Sequence, residues 1–276
     1  MGLKKFFLEK KKKKFKKKYK VGLCLSGGGT RGLSYLGVFK AFEEYGIKFD
    51  AVAGASAGSI FGAMYATGMS TDEMFEKTKN MKNSDFRKSK LGFLPSKMDT
   101  MNESLKKVLE VEKIEDLKIP FYAVAVDLRT GNEIQFSKGD LTTIITGSCA
   151  IPGVFCPVKY ENMLLIDGGV ANNIPVDVLK DNGCDFVITI DCNCTRGGGT
   201  NSKNLISQFI ASIGIMMVNN SKKGLKLSDL VICPDLKKFS SLNMDGKEEM
   251  IEAGYKATIE AMPQIEELFM GKFKKK

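Results

Sequence analysis

Residues 49–59 read FDAVAGASAGS, a short apolar run that leads into Gly54, Ser56 and Gly58. A serine framed by two glycines at this spacing is typical of a nucleophile elbow, the sharp strand-to-helix turn that exposes a serine hydroxyl. The alternative is a tight turn of small residues that carries no chemistry. Both interpretations predict a buried strand before the serine and a helix after it.

The segment before this stretch has the same organisation. VGLCLS at 21–26 predicts a buried strand, 27–31 a turn, and the apolar spacing over 32–45 a helix that stops at Gly46. Two successive strand–helix units predict an α/β fold, in which a mainly parallel sheet carries helices on its faces.

The rest of the chain continues the same domain. The pattern predicts a hairpin with its turn near Gly131 and further helices and strands: a helix from Asp140, strands over 163–169, 185–191 and 229–233, and helices over 174–182, 203–222 and 247–270. Residues 80–100 lack a clear period and are expected to form a mobile loop or lid. We expect the 203–222 helix to contribute apolar side chains to the core: Phe209, Ile210, Ile213, Met216 and Met217.

The positive charge of the chain is concentrated at one end. The 276 residues have a formal net charge of +10, and residues 1–20 alone hold eleven Lys and one Glu, so the remaining body is neutral. Phe and Leu side chains interrupt the lysines at positions 6, 7, 8 and 15, which favours binding to an anionic membrane surface. A solvated tail without function is the alternative. Nucleic-acid binding is not expected, because a neutral body offers no basic groove.

The expected domain organisation is therefore a basic tail (1–20), one catalytic domain (21–270) and a short basic end (271–276). Seven cysteines, such as Cys24 and Cys233, lie mostly in apolar runs and are predicted to be buried thiols in a reducing, cytoplasmic compartment. Cys192 and Cys194 lack the spacing and the histidine of a zinc site, so no metal is expected.

The stretch GGGTRG at 27–32 follows a strand and opens a helix, as a dinucleotide-binding turn does. The acidic residue that should end the second strand of that motif is missing, and Leu33 occupies the position of the P-loop lysine. Glycine allows close approach of the backbone, and the amides at a helix N-terminus attract negative charge. The stretch is thus compatible with an oxyanion hole and with a phosphate site.

A catalytic Ser56 would need a base other than histidine, because the chain has none. Asp127, Asp167 and Asp191 each follow an apolar strand, where sites gather in parallel sheets. Each could instead cap a turn or a helix. Asp167 ranks first by a small margin, because two glycines follow it and allow backbone to approach.

Three motifs occur in one order, GGGTRG, GASAG and IDGG, and together they resemble the patatin-like phospholipases. AVDLRTG (125–131) and SCAIPGVFCPV (148–158) are similar to two further blocks of that family. The resemblance runs from about Val21 to the end of the 185–191 strand. It leaves the Lys-rich tail and the residues after about 195 uncovered.

The resemblance implies a three-layer α/β/α fold and a lipid acyl hydrolase that uses a Ser–Asp dyad and no cofactor. By this resemblance Ser56 is the nucleophile and Asp167 its partner. The oxyanion region comprises Gly27, Gly28, Gly29 and Arg31, and the remaining motif positions are Gly54, Gly58, Gly168 and Gly169.

The expected reaction is attack of Ser56 on an ester carbonyl, followed by hydrolysis of an acyl-enzyme. A peripheral association with a membrane would bring the enzyme to its acyl lipid substrate. Two rivals remain, a non-catalytic lipid-binding member of the same fold and a nucleotide-binding protein that uses GGGTRG.

Overall fold

One eight-stranded sheet organises the computed structural model, which describes residues 19–79, 97–194, 204–241 and 243–270. The strands are β1 (Val21–Leu25), β2 (Ala51–Ala55), β3 (Phe121–Asp127), β4 (Glu133–Phe136), β5 (Val158–Tyr160), β6 (Met163–Asp167), β7 (Phe186–Ile190) and β8 (Leu230–Ile232).

Hydrogen bonding connects these strands in the order β5-β6-β3-β2-β1-β7-β8, and β4 also pairs with β3. The neighbours β3, β2, β1, β7 and β8 pair in parallel. In contrast, β4 and β6 pair antiparallel with β3, and β5 pairs antiparallel with β6. The carboxyl ends of β1, β2 and β7 therefore meet at one edge, where parallel sheets place their sites.

Helices connect the strands and cover the sheet. They are α1 (Ser34–Glu44), α2 (Ala57–Ala66), α3 (Thr71–Lys79), α4 (Asp99–Leu109), α5 (Leu141–Ser148), α6 (Val176–Asp181), α7 (Leu205–Asn219), α8 (Lys222–Leu227) and α9 (Lys247–Phe269). Short 3-10 turns at Gly29–Leu33, Ile114–Asp116 and Gly168–Val170 complete the described elements.

Both faces of the sheet are buried. Leu23 and Leu25 of β1 belong to the larger core cluster, with side chains from α1, α2 and α9. Cys24 between them points to the opposite face, where it packs with Ala53 and with Leu179 of α6. Because alternate side chains of a strand point to opposite faces, this division gives the three-layer α/β/α arrangement that the family resemblance implies.

Local chemistry explains why several elements begin where the sequence indicates. Asp140 caps α5 by accepting a hydrogen bond from the Thr143 amide at 2.7 Å. The hairpin of β3 and β4 turns at Gly131, whose φ of 75° suits a residue without a side chain. The segment 80–96 lies outside the described residues, and residues 99–100 of the predicted loop belong to α4.

The cysteine prediction is wrong for one pair. A disulfide joins Cys194, in the turn after β7, to Cys233, which follows β8. Both residues are exposed, whereas Cys24, Cys149, Cys184 and Cys192 are buried free thiols, as expected. The apolar run before Cys233 signals a strand, but the disulfide depends on how two distant turns meet.

The prediction that α7 buries its apolar side chains is wrong for part of the helix. Phe209 is 51% exposed and Met216 is 53% exposed, while Ile213 and Met217 are half-buried. Among the helices that the structure describes, none combines the length and the hydropathy that a membrane span requires.

Candidate active site

Ser56 occupies the sharp turn between β2 and α2. Its backbone has φ 53° and ψ −127°, a conformation that side-chain-bearing residues rarely adopt and that costs about 1–3 kcal/mol. Strain of this kind persists only where the surrounding structure enforces it. The structure thus places a strained strand-to-helix turn at Ser56, the backbone geometry that a nucleophile elbow requires.

The two glycines of the elbow are required by close backbone approach. A Cβ atom on Gly54 would overlap the carbonyl of Gly58, one turn further on. A Cβ atom on Gly58 would overlap the carbonyl of Leu25 at the end of β1. The Gly-X-Ser-X-Gly spacing thus lets α2 begin directly against the carboxyl ends of two strands.

Ser148, at the end of α5, fixes the backbone of the elbow. The Ser56 amide donates a hydrogen bond to Ser148 Oγ at 2.9 Å. The Ser148 hydroxyl in turn donates to the carbonyl of Val124 in β3, at 2.6 Å. Ser148 is fully buried, so the chain Ser56–Ser148–Val124 ties the elbow to the centre of the sheet.

β3 brings Asp167 next to Ser56, because β2 and β6 pair with successive parts of it. β2 pairs with the first part, up to Ala55 opposite Val124. β6 pairs with the second part, starting at Asp167 opposite Ala125.

Both strands use the same edge of β3. The amide of Val52 donates to the carbonyl of Pro120, and the amide of Leu128 donates to the carbonyl of Leu164. In a strand, the amide and carbonyl groups of every second residue point to the same edge. Pro120 and Leu128 are an even number of residues apart, so β2 and β6 lie end to end along one edge of β3. Their meeting point is the junction between Ser56 and Asp167.

Asp167 is fully buried, with 0% of its surface exposed. Burial raises the pKa of its carboxyl to about 7, although the Ser56 hydroxyl and the Gly169 amide both act to lower it. The Gly169 amide donates to Asp167 Oδ1 at 2.8 Å, while Oδ2 has no hydrogen-bond partner among the described residues. The Asp167 carboxyl is thus buried in contact with the Ser56 hydroxyl and keeps one oxygen free to accept a proton. Catalytic contacts of this kind often tighten only with substrate bound.

The glycine-rich turn after β1 lies beside the same serine. Gly27, Gly28 and Gly29 line the pocket that contains Ser56. Gly28 precedes the 3-10 turn, which continues directly into α1, so the amides here form a helix N-terminus that favours negative charge.

The three glycines have different roles. The Gly27 amide already donates to the carbonyl of Asn173, at 3.2 Å, so it does not point into the pocket. Gly27 instead permits close contact, since a Cβ atom there would overlap Asn173 Oδ1 and lie 3.1 Å from Ser56 Cβ. The amides of Gly28 and Gly29 are the remaining candidates for oxyanion donors.

Arg31 does not line this pocket within the described part of the chain. Its guanidinium donates two hydrogen bonds to the carbonyl of Phe239, from Nε at 3.0 Å and from Nη2 at 2.7 Å. Thr30 also contacts this segment, because its amide donates to the carbonyl of Ser241 at 3.1 Å. Arg31 therefore anchors the glycine-rich turn to the 239–241 segment.

The other two candidate aspartates serve as turn residues. Hydrogen bonds from the Leu164 amide, the Arg129 amide and the Thr130 hydroxyl hold the pKa of Asp127 below its usual value. Asp191 accepts from the Asn193 amide at 2.8 Å, and burial raises its pKa. Only Asp167 combines burial, an unpartnered oxygen and proximity to Ser56.

The pocket has a polar and an apolar side. The polar side holds Ser56, the three glycines, Asn173 and Asn193, and the apolar side is formed by Ile151 and by the α7 residues Ile213, Met217 and Val218. The site can thus hold a polar reacting group against Ser56 with an apolar chain beside it. No cluster of metal-ligating side chains occurs in the ranges that the structure describes.

The sequence did not reveal the residues that support the site from other elements. Asn193 donates to the carbonyl of Gly27 at 2.6 Å, and Asn173 donates to the Ser221 hydroxyl at 3.0 Å. Asn193 lies in a turn and Asn173 in an irregular segment, where polar residues are ordinary. Only the proximity of Asn173 to the IDGG stretch provided a local signal.

The part of the chain that carries this site matches a known protein family. The family model described as patatin-like phospholipase matches residues 23–180, more than half of the chain. The chain belongs to the patatin-like phospholipase family. The matched range contains Ser56, Asp167 and the glycine-rich turn.

Two relatives show how much of a longer protein this patatin-like chain represents. It is 32% identical over 185 residues to patatin-like phospholipase domain-containing protein 6 of Mus musculus. This match covers 62% of this chain and 13% of that protein. It is 31% identical to an uncharacterized NTE family protein of Mycobacterium bovis, over 65% of this chain and 51% of that protein. The matched region thus spans about half or less of the length of these relatives.

Solved structures support the patatin-like fold. VipD from Legionella pneumophila aligns over 89% of this chain and 67% of its own, with a TM-score of 0.62 and 16% identity. Human GIVD cytosolic phospholipase A2 aligns over 100% of this chain and 65% of its own, with a TM-score of 0.56 and 10% identity. At such low identity the likeness concerns the fold.

Proposed function

We propose that the chain is a serine acyl hydrolase that cleaves carboxylic esters of phospholipids or related acyl lipids. The observation that carries this proposal is the pairing of a strained Ser56 with a buried Asp167 whose pKa is about 7. A carboxyl with that pKa is partly ionised at neutral pH and is a stronger base than an exposed aspartate.

The reaction begins when Asp167 Oδ2 accepts the proton of the Ser56 hydroxyl as Oγ attacks the ester carbonyl. The amides of Gly28 and Gly29 stabilise the tetrahedral oxyanion. The proton passes to the leaving alcohol, and the acyl group stays on Ser56. Asp167 then activates water, which releases the fatty acid and restores the serine.

The general base and each oxyanion donor are expected to have a measurable effect on the reaction rate by themselves. A general base is typically worth about 10²–10⁴ in rate. Loss of one oxyanion donor typically costs about 2.7–4 kcal/mol. Both would act in a partly enclosed pocket, where electrostatic interactions are less screened than in water.

The apolar side of the pocket supports an acyl chain as the bound group. Ile151, Ile213, Met217 and Val218 offer hydrocarbon surface next to Ser56. A relative of Meyerozyma guilliermondii named Lysophospholipase NTE1 is 30% identical over 62% of this chain and 12% of that protein. Phospholipid or lysophospholipid is therefore the substrate class that we propose.

The proposed cellular setting follows from the substrate and the tail. We infer peripheral association of the enzyme with an anionic membrane surface, helped by the lysines of residues 1–20. No cofactor enters the proposed reaction.

Labelling with a fluorophosphonate probe tests the proposal, because such a probe reacts with an activated serine. The wild-type protein should be labelled and should hydrolyse p-nitrophenyl acyl esters. Ser56→Ala should lose both properties while its circular dichroism spectrum stays unchanged. Ser137→Ala is a matched control, since Ser137 is an exposed serine outside the pocket.

Three results would contradict the assignment. Undiminished turnover in Ser56→Ala would exclude this serine as the nucleophile. Lipid binding by a wild-type protein that is never labelled would favour the non-catalytic alternative. Saturable binding of a dinucleotide that protects the protein from unfolding would favour the nucleotide-binding alternative.

A further inference from the structure

Helix α7 exposes an unusual amount of apolar surface. Its fifteen residues read LISQFIASIGIMMVN and include no charged residue. Leu205 is 80% exposed, Phe209 51%, Ile215 41% and Met216 53%. These four account for half of the large exposed hydrophobic side chains in the described ranges, although the helix is a small part of the chain. Clustering of this kind marks an interaction surface.

The exposed side chains share one side of α7. At about 100° per residue, Leu205, Phe209 and Met216 fall within about 40° of one another around the helix axis. Ile215 flanks them. We call these four residues the outer face of α7. Gly214 lies about 180° from Leu205 and is buried against the protein.

The opposite side of the same helix forms a wall of the candidate active site. Ile213, Gly214, Met217 and Val218 line the pocket that contains Ser56. The helix is held there by packing: the Met217 side chain reaches the position that a Cβ atom on Gly169 would occupy. A single helix therefore separates the catalytic pocket from the exposed apolar surface.

The length of α7 is compatible with lying in a membrane interface. Fifteen residues extend over roughly 22 Å, which is shorter than a hydrocarbon core of about 30 Å. A helix of this length can bury one face at the boundary of headgroups and acyl chains.

Positive charge follows α7 along the chain. α8 begins three residues after α7 ends, and its Lys222 and Lys226 are exposed. Exposed lysines that follow an apolar helix within a few residues fit a surface whose headgroups carry phosphate. A second protein copy with this same lysine-flanked face would bring like charges together, which disfavours self-association through α7.

We propose that the outer face of α7 is a membrane-docking surface that inserts into the interface of a phospholipid bilayer. This inference rests on the proposed function, because docking here would bring the helix that lines the pocket to the surface that holds the lipid ester. Ile213 and Met217 on the inner side of this helix would then offer hydrocarbon to an acyl chain held in the pocket beside Ser56.

Tryptophan fluorescence gives a direct test, since the natural chain contains no tryptophan. Phe209→Trp places a single reporter on the outer face. Its emission should shift to the blue with phosphatidylcholine–phosphatidylserine vesicles and should be quenched by brominated acyl chains. Leu128→Trp is the matched control, because Leu128 is 52% exposed and lies outside α7. Its emission should not change.

A second variant measures the contribution to binding. Phe209→Ser with Met216→Ser should weaken co-sedimentation with these vesicles by at least about tenfold, because burying even one such side chain accounts for that factor. Hydrolysis of vesicle phospholipid should fall with it, whereas turnover of a water-soluble ester should stay within about twofold. Leu128→Ser should leave all three measurements unchanged.

The outcomes separate this inference from the proposed function. No shift or quenching of the Phe209→Trp reporter, or sedimentation equal to wild type in the double variant, would overturn membrane docking through α7. A concentration-dependent dimer that the double variant abolishes would overturn it in favour of a second copy of the chain. Membrane insertion without ester hydrolysis in any form would retain the docking surface and reject the proposed enzyme.

Discussion

At the scale of single residues, the candidate chemistry depends on one carboxyl. Asp127, Asp167 and Asp191 all follow strands, yet hydrogen bonds lower the pKa of Asp127 and burial raises those of Asp167 and Asp191. Asp167 differs from Asp191 in its fully buried position beside Ser56, with one oxygen unpartnered among the described residues. All three residues are aspartates, so the burial and hydrogen bonding of each carboxyl decide whether it is suited to act as a base or as a turn cap.

Asp167→Asn tests this distinction. The substitution keeps the shape of the side chain and removes its ionisation, so kcat/KM for a soluble ester should fall by at least about 10². Asp127→Asn and Asp191→Asn should reduce the rate less. A nearly silent Asp167→Asn, with a larger loss in either control, would show that another aspartate is the base.

The pH dependence gives the same variant a second readout. The active base is the ionised form, so wild-type kcat/KM should fall as the pH drops through about 7, the pKa of Asp167. An aspartate at its reference pKa of about 3.9 would place this limb near pH 4 instead, and imidazole is absent from the chain. Residual activity of Asp167→Asn should lack this limb.

The stability of the fold should respond in the opposite sense. The pKa of Asp167 is raised in the folded state, so the folded protein binds its proton more tightly than the unfolded chain does. Its contribution to the free energy of unfolding therefore declines as pH rises from about 4 to about 7. Asp167→Asn should remove this decline. The stability of the variant relative to wild type should therefore be greater at pH 8 than at about pH 4, as urea unfolding of both proteins at these two pH values would measure.

At the scale of elements, the site depends on β3. It pairs with β2 up to Val124 and with β6 from Ala125, so the two strands that carry Ser56 and Asp167 meet end to end. Helix α5 secures this junction through Ser148, which binds the Ser56 amide and the Val124 carbonyl. The elbow is thus held by an element that is distant in sequence.

Ser148→Ala should show how much the junction contributes. The substitution leaves a buried amide and a buried carbonyl without their partner, which typically costs about 1–3 kcal/mol of stability. Turnover of a soluble ester should also fall, because the backbone of Ser56 loses its support. Urea unfolding and ester kinetics on the same preparation measure both effects. A stability loss with unchanged kcat/KM would limit Ser148 to packing, and Ser137→Ala supplies the exposed control.

At the scale of the whole molecule, the tail and the site join the sheet at opposite ends of β1. The Lys20 amide donates to Asp185 before β7, and the Tyr19 ring packs edge-on against Phe186 at 5.3 Å. Gly27 lies beyond the other end, and the five residues of β1 span roughly 17 Å. The basic tail at 1–18 lies outside the described residues, and its role remains a proposal of its own.

Deleting residues 1–18 tests that role and spares the contacts of Tyr19 and Lys20. The deletion removes ten Lys and one Glu, so co-sedimentation with phosphatidylserine-containing vesicles should weaken markedly. Turnover of a soluble ester should stay nearly unchanged, because the site begins at Gly27. Added salt should reduce the binding of the wild-type protein more than that of the deletion.

Two results would contradict this expectation. Equal sedimentation of the deletion and the wild type would show that the tail is not an anchor. Loss of soluble-ester activity in a folded deletion variant would place the tail in the catalytic domain. The Phe209→Ser, Met216→Ser variant removes apolar side chains and no charge. The vesicle binding that it loses should therefore depend little on salt, in contrast to the binding lost on deleting the tail.

The sequence by itself determined the strand–turn–helix units, the elbow at Ser56 and the order of the motifs, because apolar periodicity and glycine spacing act over a few residues. It ranked Asp167 first among three aspartates only narrowly. The tertiary structure decided what depends on distant segments: the meeting of β2 and β6 on β3, and the Gly27 amide taken by Asn173. Likewise, a helical pattern shows that one face of α7 is apolar, but only the packing of the neighbouring elements decides which side chains they leave exposed.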